Sequence, residues 1–252
     1  MIELKHLYKS FDDREVLKDI NAVFANGQVN LIIGQSGSGK TVLMKNIVGL
    51  LTPTKGEILY DNRDFVSLDK KEKILLRREM GMIFQAAALF DSMNVLDNVM
   101  FPLDMFSDLP YEDRVKRAKD CLARVNLSGA EQKFPDEISG GMQKRVAIAR
   151  AIVLQPKYLF CDEPNSGLDP KTSIVIDELI SGITHEDNIT TIVNTHDMNS
   201  VMGIGENITF ICKGRAEWQG SNKEIMQATN KELEDFIFAS DILRQVKMAQ
   251  SK

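Results

Sequence analysis

A glycine-rich segment near the N-terminus has the residue types and spacing of a loop that binds phosphate groups. Its eight residues are Gly34, Gln35, Ser36, Gly37, Ser38, Gly39, Lys40 and Thr41. Glycines let the backbone wrap so that several N–H groups face one set of phosphate oxygens. Lys40 is suited to reach β- and γ-phosphates, and the Thr41 hydroxyl is suited to ligate Mg²⁺. The segment predicts a nucleoside triphosphate site, and the alternative is an accidental glycine-rich turn.

Two adjacent carboxylates lie about 120 residues further along the chain. Asp162 and Glu163 follow the apolar run 158–161. In an α/β sheet, ligands bind where the carboxyl ends of the strands meet. We therefore expect Asp162 to hold Mg²⁺, directly or through water, and Glu163 to act as a general base on an attacking water. The alternative is a pair of solvated acids at a turn.

A second candidate anion site precedes a predicted helix over residues 142–154. Ser139 is a suitable N-cap residue, and Gly140 and Gly141 allow the backbone to approach a ligand closely. The N-terminus of a helix favours an anion. Two chains packed head to tail would let this site reach the nucleotide on the other chain, whereas the plainer interpretation is an ordinary helix cap.

Strands and helices must position these residues. They alternate along the chain on both sides of a largely helical middle segment, roughly 67–155. Strands are predicted within 2–24 and at 29–33, 55–60, 158–161, 190–194 and 208–212. Helices are predicted at 42–51, 67–79, 111–125, 142–154, 171–184 and 223–248. The order strand, glycine loop, helix around residues 29–51 is the context that a phosphate-binding loop requires.

Composition excludes several classes of protein. The 252 residues are 43% hydrophobic and 27% charged, which is typical of a globular protein and not of a disordered one. A formal net charge of -5 argues against sequence-independent binding of nucleic acid. The sequence has no apolar run of about 18 residues and no signal-peptide pattern at its start. Its three dispersed cysteines predict neither a disulfide framework nor a zinc site but buried or half-buried thiols in a reducing cytosol.

The order of these motifs resembles that of the ATP-binding cassette (ABC) ATPases, over about residues 2–220. Residues 138–142 resemble the family's signature motif, LSGGQ, although Ile138 and Met142 replace its Leu and Gln. The Ser-Gly-Gly centre is retained, so we expect activity to be retained. The resemblance implies an α/β P-loop NTPase (RecA-like) core, with an N-terminal antiparallel β subdomain and an inserted α-helical subdomain over about 86–155.

The resemblance also implies roles for five further residues. Gln85 resembles the Q-loop glutamine, which would sense Mg²⁺ and the attacking water. His196 resembles the switch histidine, which would contact the γ-phosphate and orient the base. Asp169 resembles the D-loop acid that crosses the dimer interface. Phe11 lies where the family places an adenine-stacking aromatic residue, with Val16 packed nearby, and a core aromatic is the alternative for Phe11.

The implied protein is an ATPase that uses ATP and Mg²⁺, forms a head-to-tail homodimer and drives a separate integral-membrane permease. Residues 81–85 and 88–99 further resemble the Mla-type transport ATPases, which are associated with MCE-domain proteins and phospholipid movement across the Gram-negative envelope. That resemblance implies a peripheral position at the cytoplasmic face of the inner membrane and no nucleic-acid partner. The apolar stretch 86–103 is interpreted either as core of the helical subdomain or as a groove for a permease helix.

Other interpretations stay open at the level of sequence. One is the ATPase of an amino-acid or other small-solute importer, and another is a soluble ABC ATPase that acts on ribosomes or DNA. A third is a P-loop metabolic kinase, which would leave Ser139, Glu163 and His196 without a shared explanation. We assign residues 1–220 to the ATPase domain and 221–252 to a C-terminal helical extension, whose apolar stripe packs on its own domain, supports the dimer or docks a regulator.

Overall fold

The computed structural model describes residues 1–238, which divide into two compact units. One unit contains residues 1–25, 29–68 and the chain from Asn194 onward, and the other contains 26–28 and 69–193. The strands are β1 (Ile2–Phe11), β2 (Arg14–Phe24), β3 (Val29–Ile33), β4 (Lys55–Tyr60), β5 (Arg63–Asp64), β6 (Met80–Ile83), β7 (Tyr158–Asp162), β8 (Thr190–Asn194), β9 (Asn207–Cys212) and β10 (Arg215–Gly220). The α-helices are α1 (Lys40–Ile47), α2 (Lys70–Arg78), α3 (Val95–Phe106), α4 (Tyr111–Arg124), α5 (Gly140–Ile152), α6 (Pro170–Glu186), α7 (Met198–Ile204) and α8 (Lys231–Ile237).

The N-terminal strands form an antiparallel sheet in the order β2-β1-β4-β5. Alternation along β1 buries Ile2 and Leu4, and Leu7 joins them after a register shift in the pairing with β2. The predicted antiparallel β subdomain is therefore confirmed.

A second set of strands in the same unit carries the glycine-rich segment. All five residues of β3 are buried, and β3 pairs in parallel with β9. Strand β10 pairs with β9 through a two-residue loop in which Lys213 and Gly214 both have positive φ, as a type I′ turn requires. We did not predict β10, because its polar sequence lacks the apolar pattern of a half-buried strand.

The other unit contains strands β6, β7 and nearly all of β8, together with most of the helices. Its strands lie in the order β8-β7-β6, and β6 and β7 are parallel. Helices α3, α4 and α5 pack against one another, and α5 also contacts β6 and α6. This helical cluster agrees with an inserted helical subdomain, while the bounds 86–155 and the division at residue 220 remain predictions. No helix within residues 1–238 is both long and apolar enough to cross a lipid bilayer.

The predicted helix over 223–248 is wrong for its first part. Residues Ile225–Gln227 form a 3₁₀ turn, and a separate helix, α8, begins at Lys231. The side chain of Asn230 accepts a hydrogen bond from Leu233 N and starts this new helix. Residues 239–248 of the prediction lie outside the described residues, as does the rest of the extension to residue 252.

The three cysteines are free thiols. Cys121 and Cys161 are buried, and Cys212 is half-buried. Burial raises the pKa of Cys121 to about 11 and raises that of Cys161 further. The predicted buried or half-buried thiols are therefore confirmed for all three cysteines.

Candidate nucleotide site

The glycine-rich segment lies between β3 and α1, as predicted. Gly34, Gly37 and Gly39 all have positive φ, at 149°, 77° and 112°. A Cβ atom on Gly34 would lie 2.2 Å from the carbonyl oxygen of Ile211. Glycine is therefore required at position 34 by both backbone conformation and space.

The polar groups of the loop are arranged for an anion. Lys40 is buried, and its Nζ donates to the carbonyl oxygens of Gly34, at 2.8 Å, and Gln35, at 3.2 Å. Among residues 1–238, the buried Oγ of Ser38 has no hydrogen-bond partner. The N-cap residue of α1 is Gly39, which has no side chain to cap the helix N–H groups. An orphaned hydroxyl, a cation and an uncapped helix start fit the phosphate groups of a nucleotide.

Gly34→Ala is expected to destabilise the chain by more than about 1 kcal/mol, because the new methyl group would meet the carbonyl of Ile211. The matched control is Gly129→Ala, where φ is also positive but a Cβ would meet no heavy atom within 4 Å in the described chain. Urea unfolding of both variants measures the difference. Equal losses of stability would show that the contact with Ile211 is unimportant.

Three other predicted residues lie in the same unit as the loop. The carbonyl oxygen of Val16 would lie 3.5 Å from a Cβ built on Gly39, so the backbone of Val16 borders the end of the loop. Phe11 ends β1 and is 42% exposed, with the Lys9 ammonium 4.9 Å from its ring centroid. This exposure excludes a core role for Phe11 and leaves its ring face accessible for stacking.

His196 follows β8 and is exposed. The N–H of Thr195 donates to the carbonyl oxygen of Ile32 at 3.1 Å. Because Ile32 lies two residues before Gly34, this bond places His196 next to the strand end that leads into the loop. The first unit thus brings together the loop, Val16 and the backbone of position 195.

Asp162 and Glu163 lie at the end of β7, as predicted. Asp162 is the last residue of the strand, and Glu163 has a φ of 50°. This left-handed conformation is uncommon for a residue with a side chain and is typical of strained functional positions. The carbonyl oxygen of Glu163 accepts from Ser166 N at 3.1 Å, which closes a tight turn after the acidic pair.

The structure connects Gln85 to this turn. Gln85 is exposed, and its Nε2 donates to Ser166 Oγ at 3.0 Å. Its backbone carbonyl accepts a hydrogen bond from Lys144 Nζ. Burial lowers the pKa of Lys144, while the Glu163 carboxylate acts in the opposite direction. We assigned no role to Ser166 or Lys144 from the sequence. For Lys144, the available signal was its position in the predicted helix that follows the Ser-Gly-Gly segment.

The Ser-Gly-Gly segment begins α5, two residues earlier than predicted. Ser139 is its N-cap, and Ser139 Oγ accepts from Met142 N at 3.3 Å. A Cβ on Gly141 would lie 2.6 Å from Thr172 Cγ2, so only glycine fits against the start of α6 without a shift. Ser139 and Gly140 are exposed. The capping role is therefore observed, and an anion-binding role remains a prediction.

Asp169 caps α6. Its carboxylate accepts from Lys171 N at 3.1 Å and Thr172 N at 3.0 Å. The hydrogen bond from the Thr172 hydroxyl is the main cause of a lowered pKa for Asp169. The start of α6 is thus fixed beside the start of α5, while a role for Asp169 across a dimer interface remains a prediction.

The predicted Mg²⁺ ligands supply a hydroxyl, a carboxylate and an amide oxygen, from Thr41, Asp162 and Gln85. Oxygen donors of these kinds suit Mg²⁺, which keeps several waters and binds substrate phosphates. In the part of the chain that the structure describes, no group of three or more His, Cys, Asp or Glu side chains is arranged to hold a metal ion. The expected ligand set contains one carboxylate and does not require such a cluster.

Comparison with known proteins identifies the family. The model of the ABC transporter family matches residues 17–166. A chain whose structure is described as a dimeric post-hydrolysis state of the ATP-binding cassette MJ0796 bound to ADP and Pi is 35% identical. The two folds agree with a TM-score of 0.79 over 88% of this chain and 99% of that one. The predicted P-loop NTPase fold is thereby confirmed.

Three relatives match nearly the whole chain. The probable ribonucleotide transport ATP-binding protein mkl of Mycobacterium bovis is 35% identical over 94% of this chain. The chain spans 66% of that protein's length, which is slightly less than two thirds. The intermembrane phospholipid transport system ATP-binding protein MlaF of Haemophilus influenzae is 37% identical over 94% of this chain and 90% of the relative. The methionine import ATP-binding protein MetN 2 of Enterococcus faecalis is 36% identical over 92% and 68%. The chain therefore belongs to the ABC transporter family and carries its ATP-binding domain, an ATPase domain that uses ATP with Mg²⁺.

Proposed function

We propose that the chain is the ATP-hydrolysing subunit of a transporter that moves phospholipid through a separate integral-membrane permease. The observation that carries this proposal is the 37% identity to MlaF over nine tenths of that protein's length. The resemblance of residues 81–85 and 88–99 to Mla-type ATPases supports the same substrate. The proposed place of action is the cytoplasmic face of the inner membrane of a Gram-negative envelope, with an MCE-domain protein as a further partner.

The catalytic roles follow from the chemistry of each side chain. Lys40 and the N–H groups of residues 34–39 bind and orient the phosphates of ATP. Thr41, Asp162 and Gln85 would hold Mg²⁺, which when bound neutralises charge on the phosphate oxygens. Glu163 takes a proton from the attacking water.

The left-handed backbone at Glu163 fixes the direction in which its carboxylate leaves the strand end. Two further side chains, those of His196 and Phe11, complete the proposed site. His196 contacts the γ-phosphate and orients Glu163. Phe11 stacks on the adenine, which its exposed ring permits.

We further propose that two copies of the chain close head to tail on ATP. Ser139 and Gly140 are exposed at the start of α5, where backbone N–H groups and the helix dipole favour a phosphate. Residues 139–141 of one copy would contact the nucleotide held by the phosphate loop of the other, and Asp169 would lie at the same interface. The dimeric state of the MJ0796 cassette supports this arrangement.

The permease would dock on apolar residues that lie beside Gln85 and in the segment after it. Within the stretch 86–103, one set of side chains is buried and forms core: Val95, Leu96, Val99, Met100 and Leu103. Exposed apolar side chains flank this core, at Phe84, Phe90, Met105, Phe106, Leu109 and Tyr111. Exposed apolar residues in such numbers mark an interaction surface. The core interpretation therefore fits most of the stretch 86–103, and the proposed docking surface consists of Phe90 and of exposed residues on either side of the stretch.

A small-solute importer is the second candidate function. The 36% identity to MetN 2 favours it, because that value is close to the identity with MlaF. The ATPase roles proposed above are the same in both cases. The two candidates differ in the partners and in the molecule carried by the complex.

A tagged pull-down from gently solubilised membranes separates the two candidates. We expect a permease, an MCE-domain protein and phospholipid to be recovered with the chain and identified by mass spectrometry. Phe106→Glu is expected to lose the permease because it charges the proposed docking surface. The control Leu50→Glu, at a site that is 61% exposed in the other unit, is expected to retain it.

Other partners would contradict the phospholipid proposal. Recovery of a permease together with a periplasmic solute-binding protein would indicate small-solute import instead. Recovery without any membrane protein would favour a soluble ABC ATPase.

A further inference from the structure

Helix α5 holds the chain that follows Gln85 through two cationic side chains. Lys144 Nζ donates to the carbonyl oxygen of Gln85. Arg150 Nη2 donates to the carbonyl oxygen of Ala87, and its Nη1 donates to that of Ala88, both at 2.8 Å. Three carbonyl groups within residues 85–88 therefore bind to the helix that begins at the Ser-Gly-Gly segment.

The loop that these cations hold is not in a relaxed conformation. Ala87 and Ala88 have φ values of 58° and 52°. Alanine rarely adopts this left-handed conformation, so the surrounding contacts must maintain it. The planar fork of Arg150 binds both carbonyl oxygens at once, and its guanidinium lies 5.9 Å from the Phe90 ring centroid. The loop after Gln85 is thus held by α5 together with two backbone hydrogen bonds of its own, from Ala87 N to the Phe84 carbonyl oxygen and from Ala88 N to that of Ala86.

Lys144 is an unusual lysine because its ammonium is removed from water. Only 5% of the residue is exposed. Burying an ammonium group is costly unless it is hydrogen-bonded, and its bond is to a backbone carbonyl. It also interacts electrostatically with Glu163. A neutral side chain of similar length would avoid the burial cost, so the charge at position 144 needs a reason beyond packing.

We propose that Lys144 is a positioning residue, which fixes Gln85 by holding its carbonyl oxygen while Arg150 secures the following turn. The helix that starts at Ser139 then sets where the Gln85 side chain lies. A shift of α5 on dimer closure would consequently move Gln85 with it. The inference rests on the proposed role of Gln85 in hydrolysis.

A double-mutant cycle on the full-length dimer tests this inference. Lys144→Met keeps the length of the side chain but removes its charge and its hydrogen-bond donor. We expect kcat for ATP to fall about tenfold with little change in KM, because a misplaced catalytic group slows the reaction without weakening binding. Lys144→Arg is expected to restore most of the rate, and Lys116→Met, at an exposed position on α4, is expected to leave it unchanged.

The decisive comparison is made in the Gln85→Ala background. With no amide side chain left to position, Lys144→Met is expected to cause no further loss of kcat. An equal loss in both backgrounds would show that Lys144 does not act through Gln85 and would overturn the inference, while the proposed ATPase roles would stand.

Two further results complete the test. Unchanged turnover in Gln85→Ala alone would refute the proposed role of Gln85 and the inference with it. If Lys144→Met does not fold, Lys144→Leu also removes the charge and the hydrogen-bond donor and gives the same cycle. Melting temperatures of all variants separate an effect on stability, which would appear in both backgrounds, from the coupling to Gln85.

Discussion

Glu163→Gln is expected to bind ATP and Mg²⁺ normally but to hydrolyse ATP about 10²- to 10⁴-fold more slowly. The amide has nearly the same shape as the carboxylate but does not accept a proton from the attacking water. Phosphate release at saturating ATP measures the rate, and equilibrium titration with ATP measures binding. Glutamine has the same number of non-hydrogen side-chain atoms as the Glu163 side chain, so we expect it to adopt the same left-handed backbone and the fold to be retained.

The control for this result is Glu178→Gln, which changes an exposed glutamate on α6. That variant is expected to turn over ATP at the unchanged rate. If Glu163→Gln hydrolyses ATP at nearly the rate of the unchanged chain, the assignment of Glu163 as the general base is refuted. Asp162 would then be the nearest carboxylate left to test.

Lys40→Ala is expected to weaken ATP binding about 10- to 100-fold, because a charge-assisted hydrogen bond to phosphate is lost. Lys40 Nζ also donates to the carbonyl oxygens of Gly34 and Gln35, so the variant loses two hydrogen bonds within the loop. Titration calorimetry with ATP and Mg²⁺ measures the affinity. Circular dichroism confirms that the fold is retained.

Lys45→Ala is the matched control, since Lys45 is exposed in the last turn of the same helix. It removes the same charge from α1 but lies away from the loop, and its ATP affinity is expected to stay unchanged. Equal affinities for the Lys40→Ala variant and the unchanged chain would mean that the loop does not bind phosphate as proposed.

The phosphate loop was predictable because its chemistry demands fixed residue types at fixed spacing. Glycines at positions with positive φ, a lysine and a hydroxyl residue leave a pattern that the sequence shows directly. The acidic pair was predictable for a similar reason, since an apolar strand that ends in two carboxylates is a local signal. The antiparallel sheet followed from alternation and turn residues.

Other features depend on contacts between distant residues and leave no local pattern. The burial of Lys144 depends on the loop at Gln85, 59 positions away in the chain. The strand β6 contains Gly81, where a Cβ would lie 2.4 Å from the carbonyl oxygen of Ala151, so tertiary packing explains that glycine. In both cases a contact with a residue far along the chain decides the feature. The cap at Asn230 is different, because it bonds to Leu233 three positions away and was a local signal that we did not use.

The mass of Glu163→Gln in solution tests the central claim most directly, namely that two copies of this chain enclose ATP between the phosphate loop and the Ser-Gly-Gly segment. With ATP and Mg²⁺, light scattering after size exclusion is expected to give twice the chain mass of 28.3 kDa. Adding Gly140→Val is expected to return the variant to a single chain. Gly140 is exposed, and a Cβ there would lie 4.0 Å from Leu168 Cδ2, so the valine fits the chain's own fold while its side chain covers the proposed phosphate-binding surface. A mass of one chain for Glu163→Gln with saturating ATP would contradict the account.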